Sequence, residues 1–147
     1  MKHSHRFAPV RVAGLLGVGL WIAGCSNPQE DVRVNLCKDM VVSLLGASQN
    51  VTWQDTSTQV RGRESAAIRV DYAATGGNGY AVCHYRYDAV DDTALALSDP
   101  LSAFSTSPSK MTLNGRTLSR PELAEAVKAA MLKQGGELVD RLKKGFQ

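Results

Sequence analysis

From Val32 to Leu45 the apolar residues recur three or four apart, at Val32, Leu36, Cys37, Met40, Val41, Leu44 and Leu45. That period lines one side of an α-helix. Asn27-Pro28-Gln29-Glu30 supplies a start signal, with Asn as cap, Pro at the first helical position and Glu three residues after the cap. Gly46 supplies the stop. The pattern predicts a helix over 28–45 with Cys37 on its buried side. Beyond Asn50 the period shortens to two. Val51 and Trp53 open a Thr- and Gln-rich stretch reaching Val60, and Arg61-Gly62-Arg63-Glu64 reads as a turn. Ile68, Val70 and Tyr72 then alternate with Arg69 and Asp71 as in a half-buried strand. "TGGNG", residues 75–79, connects that strand to another over 80–87, with Ala81, Cys83, Tyr85 and Tyr87 on one face and Val82, His84 and Arg86 on the other.

Residues 91–110 mix Ser, Thr, Asp and Pro with scattered Leu95, Leu97, Leu101 and Phe104, the composition of a long loop that docks in places. Asn114-Gly115 between short apolar runs predicts a tight hairpin. Ser119-Arg120-Pro121-Glu122 fits a second capping box and opens a helix. Leu123, Ala126, Val127, Ala130, Met131, Gln134, Leu138 and Leu142 form its stripe, which reads as core. Gly135-Gly136 weaken or bend this helix without dividing it. On that reading its cations face water, and a lipid-free domain is not expected to bind anionic vesicles. The fold class is α+β: an N-terminal helix packed on a three-stranded antiparallel meander, then a long loop, a short hairpin and a C-terminal helix. No internal repeat is visible.

The first 24 residues follow a different rule. Lys2, Arg6 and Arg11 precede an apolar stretch from Leu15 to Ala23, the layout of a secretory signal. The stretch falls well short of the roughly 20 residues of a membrane-spanning helix. Ile22-Ala23-Gly24-Cys25 resembles the lipobox of bacterial lipoproteins: an aliphatic residue, two small residues and a cysteine. Small residues admit the peptidase to the scissile bond, and the thiol accepts a diacylglyceryl group before cleavage. The resemblance implies that 1–24 are removed and that Cys25 becomes a lipidated N-terminus bearing palmitate-type chains. Members of that class carry two or three chains, where one alone anchors only marginally. Ser26 in place of aspartate implies the outer membrane, facing the periplasm.

Removing the signal changes the charge balance. Lys2, Arg6 and Arg11 account for the whole formal excess of +3, leaving 14 basic and 14 acidic residues from Cys25 onward. No basic-protein argument for nucleic-acid binding survives. The charge is polarised: residues 25–107 carry 6 basic and 10 acidic groups, and residues 108–147 carry 8 basic and 4 acidic. With Cys25 assigned to lipid, Cys37 and Cys83 remain in an oxidising compartment, where a disulfide between helix and strand is expected. Residues 25–90, the loop 91–110 and the segment 111–147 read as one domain.

Candidate chemistry is sparse. His84 is the only histidine after the signal. Zinc through Cys37, Cys83, His84 and a carboxylate is disfavoured because Cys83 and His84, neighbours on a strand, point to opposite faces. A Ser-His-Asp set using His84 and Asp71 lacks a recognisable nucleophile elbow. "GGNG" joins strands rather than a strand to a helix, which argues against a phosphate cradle. Asp88, Asp91 and Asp92 lack the glycine and distal glutamate of a calcium loop. Tyr72, Tyr80, Tyr85 and Tyr87 read first as cross-strand packing. No catalytic residue, metal or cofactor is assigned. The expected function is a non-enzymatic, membrane-anchored envelope module that binds or supports another envelope component. The alternative is a small hydrolase or ligand carrier using His84 or the tyrosine face.

Overall fold

A computed structural model describes residues 30–46, 48–88, 99 and 101–145. Helix α1 (Val32–Leu45) is followed by strands β1 (Thr52–Arg61), β2 (Ser65–Ala74), β3 (Gly77–Arg86), β4 (Lys110–Leu113) and β5 (Arg116–Thr117), and then by helix α2 (Arg120–Gly145). The strands form one antiparallel sheet in the order β1-β2-β3-β4-β5. The architecture is α+β, as expected. The terminal hairpin does not stand apart, however. Residues 81–84 pair with 110–113, so β3 is the middle strand of five rather than the last of three.

Local chemistry accounts for most boundaries. Helix α1 begins at Val32, later than expected, because Asp31 caps it: its carboxylate accepts from Arg33 N–H at 2.7 Å. Glu30 is therefore not the glutamate of an Asn27 box. It pairs with Lys38 at 2.6 Å, while Asn27 and Pro28 lie outside the described residues. Gly46 ends the helix at φ 92°, a conformation that favours glycine. Asn114 and Gly115, at φ 50° and 82°, make the tight turn between β4 and β5. The second capping box forms as expected: Glu122 accepts from Ser119 N–H at 2.7 Å, and Ser119 Oγ accepts from Glu122 N–H at 3.4 Å.

The core lies between one face of the sheet and the two helices. Cys37, Met40 and Val41 of α1 pack with Ala66, Ile68, Val70 and Tyr72 of β2, Ala81, Cys83 and Tyr85 of β3, Met111 of β4, and Ala126 and Ala130 of α2. Cys37 and Cys83 are disulfide-bonded at a Cα–Cα distance of 6.1 Å, fixing α1 to the middle strand. The long loop returns as an added rung on that strand. Asp88 N–H donates to Ala103 O, Ser105 N–H to Arg86 O and Ser109 N–H to His84 O, and Leu101 and Phe104 are buried. Leu95 and Leu97 lie outside the described residues.

Arg33 secures this junction. Its guanidinium is buried, donates to the Phe104 and Ser105 carbonyls, and pairs with Asp31 at 3.2 Å. Tyr85 donates to Arg33 O at 2.9 Å, and burial raises that phenol's pKa well above its usual value. A cation, a phenol and two carbonyls thus replace water where loop, helix and strand meet.

Candidate functional site

Alternation along the strands sends a second set of side chains to the opposite face of the sheet. No described element covers that face. Asp55, Ser57, Gln59 and Arg61 come from β1, Ser65, Ala67, Arg69 and Asp71 from β2, and Tyr80, Val82, His84 and Arg86 from β3. Lys110 and Thr112 of β4 complete it. Arg69 lies 4.1 Å over the Tyr80 ring and makes paired bonds to Asp71 at 2.6 and 2.9 Å. The hydrogen bond to Arg69 holds the Asp71 carboxyl below its ordinary range. Arg69 is exposed and Asp71 only half-buried, so the pair contributes little to stability.

His84 sits four residues further along this face. It registers with Ala67 on one side and Lys110 on the other. Partial burial lowers its pKa, and the positive charges of Lys110 and Arg61 lower it further. The imidazole is thus neutral at physiological pH. It is not joined to Asp71, which registers with Tyr80; four strand residues separate the two rows, about 13 Å. The Ser-His-Asp set with Asp71 is therefore not assembled. Zinc through Cys37, Cys83 and His84 is also ruled out, because both sulfurs are consumed in the disulfide and lie on the far face of the sheet. Among the described residues no three His, Cys, Asp or Glu side chains converge on a metal-sized point.

The tyrosines do not form one face. Tyr72 and Tyr85 are buried in the core, where Tyr72 meets Trp53 edge-on at 6.3 Å between centroids. Tyr87 meets Phe104 edge-on at 5.5 Å, and Tyr80 lies across the sheet under Arg69. Asn114 ties the two sides together: its Nδ2 donates to Tyr72 Oη at 3.1 Å, and its Oδ1 accepts from Tyr80 N–H at 2.9 Å. "GGNG" lies in the β2–β3 hairpin, where Gly76 N–H donates to Gln49. Asp88 is exposed, while Asp91 and Asp92 lie outside the described residues.

The apolar concavity is elsewhere. Pro108 and Ser109 face Leu123, Ala124, Val127, Met131 and Leu132 of α2 across a groove of about 640 Å³, with Arg120 and Lys128 at its margin. A more polar hollow of about 410 Å³ is lined by Arg86, Tyr87, Asp88, Ser105, Ser107 and Ser109. His84 lines neither.

Helix α2 departs furthest from expectation. Its stripe is not continuous core. Ala126 and Ala130 are buried and Leu123, Val127 and Gln134 partly so, but Met131, Leu138 and Leu142 are 51, 54 and 53 % exposed. The reason is geometric. At about 100° per residue the expected stripe is about 160° wide, and α1 and the sheet cover only one edge of it. Leu132 and Val139, seven residues apart and also exposed, belong to the uncovered edge. Their spacing was the signal for a second stripe. Asp39 of α1 marks the end of the packed part, bonded to both Lys133 and Gln134. Every residue from 135 to 145 is exposed.

Compared with known family models, curated proteins and solved structures, the chain shows no match.

Proposed function

We propose that this chain is a lipid-anchored bacterial envelope lipoprotein whose small domain acts as a non-enzymatic binding or structural module, held to the membrane through Cys25 and facing the periplasm from the outer membrane. The observation that carries this reading is Ile22-Ala23-Gly24-Cys25 closing a short apolar run behind Lys2, Arg6 and Arg11. The folded part begins close behind. Asp31 caps the first helix six residues after Cys25, a contour of about 20 Å at full extension. The disulfide and the Arg33 junction suit an oxidising compartment and a domain that keeps its shape. No helix among the described residues is long and apolar enough to cross a membrane, so attachment in this reading rests on lipid.

The non-enzymatic part of the proposal is supported by the surroundings of His84. Its described neighbours in register are Ala67 and Lys110, which supply neither a general base nor an orienting carboxylate. The test of the anchor is Cys25→Ala in the producing cell. Metabolic labelling with a fatty acid should mark the wild type only, and the variant should leave the membrane fraction. An unlabelled wild-type protein, or a variant still held in the membrane, overturns the reading. In vivo crosslinking of the anchored protein then identifies the envelope component it holds.

A further inference from the structure

The last eleven residues of α2 make a helical overhang about 16 Å long. Residues 135–145 are all exposed and include Gly135 and Gly136. Three solvated turns with three glycines, Gly145 among them, have little intrinsic helicity. Their apolar residues are not scattered. Met131, Leu132, Leu138, Val139 and Leu142 are 49–69 % exposed. At about 100° per residue they share an arc about 120° wide, turned roughly 160° from the face that buries Ala126 and Ala130. The groove against Pro108 and Ser109 opens on this arc through Ala124, Met131 and Leu132. Groove and overhang thus form one continuous apolar face.

Charge decides what covers it. Arg141 and Lys143 flank the arc on either side, Arg120 and Lys128 line its groove end within the arc, and Glu125, 3.8 Å from Lys128, is the one acid beside it. The overhang's acids, Glu137 and Asp140, fall on the opposite side of the helix by the same count, together with Lys144. An apolar band that carries four cations against one acid is the pattern of a helix lying in a membrane interface, where long basic side chains reach back to anionic headgroups. A second copy of the chain would set two faces against one another that each carry four cations and one acid.

Tether length agrees. The bonds from Lys133 and Gln134 to Asp39 hold the root of the overhang eight residues along α1 from its cap, about 12 Å. Cys25 lies within about 20 Å of that same cap. A lipid on Cys25 and the apolar face of α2 can therefore reach one bilayer together.

We infer that the apolar face of α2 from Ala124 to Leu142 docks on the anionic bilayer that holds the Cys25 lipid, so that the domain lies against the membrane rather than hanging from it. The inference rests on the anchor reading for its geometry, but its own contacts are testable without the anchor.

The experiment uses the mature chain carrying Cys25→Ser, which retains every described element. It is mixed with vesicles of phosphatidylcholine alone or phosphatidylcholine with phosphatidylglycerol, and cosedimentation is measured. Binding to the anionic vesicles is expected, with loss in high salt. Lys128→Gln, Arg141→Gln and Lys143→Gln together should weaken it about a hundredfold, at roughly fivefold per cation. Leu138→Ser with Leu142→Ser should abolish it while leaving thermal stability unchanged, because both side chains are solvated in the free domain. Absence of anionic-vesicle binding, or indifference to both variant sets, overturns the proposal. A dimer in sedimentation equilibrium that Leu138→Ser with Leu142→Ser dissociates also overturns it, in favour of a second copy. Loss of the anchor reading, read separately from fatty-acid labelling of the Cys25 form, leaves the vesicle result standing on its own.

Discussion

Gly79 provides a direct test of how the terminal hairpin is held to the sheet. An added Cβ there meets Tyr72 Oη at 2.6 Å and Tyr72 Cζ at 2.7 Å, and also runs into Asn114 Oδ1. Ordinary van der Waals separation for such atoms is about 3.5 Å, so the tyrosine must retreat by almost 1 Å. It has little freedom to do so. Tyr72 is 2 % exposed, meets Trp53 edge-on and is bonded to Asn114. Overpacking a fixed core in this way costs about 1–3 kcal/mol. Reduced freedom of the unfolded chain returns roughly 0.4–1 kcal/mol. Gly79→Ala is therefore expected to destabilise by about 1–2 kcal/mol, a drop in Tm of several degrees for a domain of this size. Urea unfolding followed by circular dichroism measures it. The cause is separable by a cycle with Tyr72→Leu, which removes the ring that clashes. In that background the cost of Gly79→Ala should fall by at least half, a coupling of about 1 kcal/mol. Equal costs in the two backgrounds would refute the steric argument.

Four further outcomes are expected. Cys37→Ala with Cys83→Ala opens a loop closed over 46 residues and should cost about 4 kcal/mol on the chain-entropy account, read as a Tm lower by about 10–20 °C; an unchanged Tm counts against the staple. Arg33→Met should cost about 2–3 kcal/mol, because it leaves two carbonyls without a donor and Asp31 without its cation, and chemical denaturation with an effect below 1 kcal/mol would contradict that role. His84 binds its proton less well folded than unfolded, so its share of stability is complete above about pH 6.5 and is lost as pH falls through the lower folded value. Thermal melts of His84→Gln should lack that component, and Lys110→Gln should move the imidazole NMR midpoint upward. Ser119 N–H and Arg116 draw the Glu122 carboxyl down to about 2, so its carbon shift should stay that of a carboxylate at pH 4, and in Ser119→Ala with Arg116→Gln its midpoint should rise only part of the way, because the Ser119 N–H bond remains.

Several features were legible from residue order alone because they depend on chain neighbours. Periods of two and of three or four separated strands from helices, since backbone geometry fixes where successive side chains point. Asn114-Gly115 and Ser119-x-x-Glu122 specified a turn and a cap, as both rest on bonds within a few residues. Elimination paired Cys37 with Cys83, and strand alternation placed Cys83 and His84 on opposite faces. What required the tertiary structure was partnership. Whether β3 is an edge or a middle strand depends on which strand arrives beside it 24 residues later, which no local pattern encodes. Asp31 prevailed as cap over the Asn27 signal where Arg33 anchors the returning loop. In α2 the apolar residues were visible, but their burial was not. Hydrophobic spacing reports that a face seeks cover, and only the length of α1 and the width of the sheet decide how far along the helix that cover extends. Here it extends to Asp39 and its bonds to Lys133 and Gln134, and beyond them the same kind of residue meets solvent.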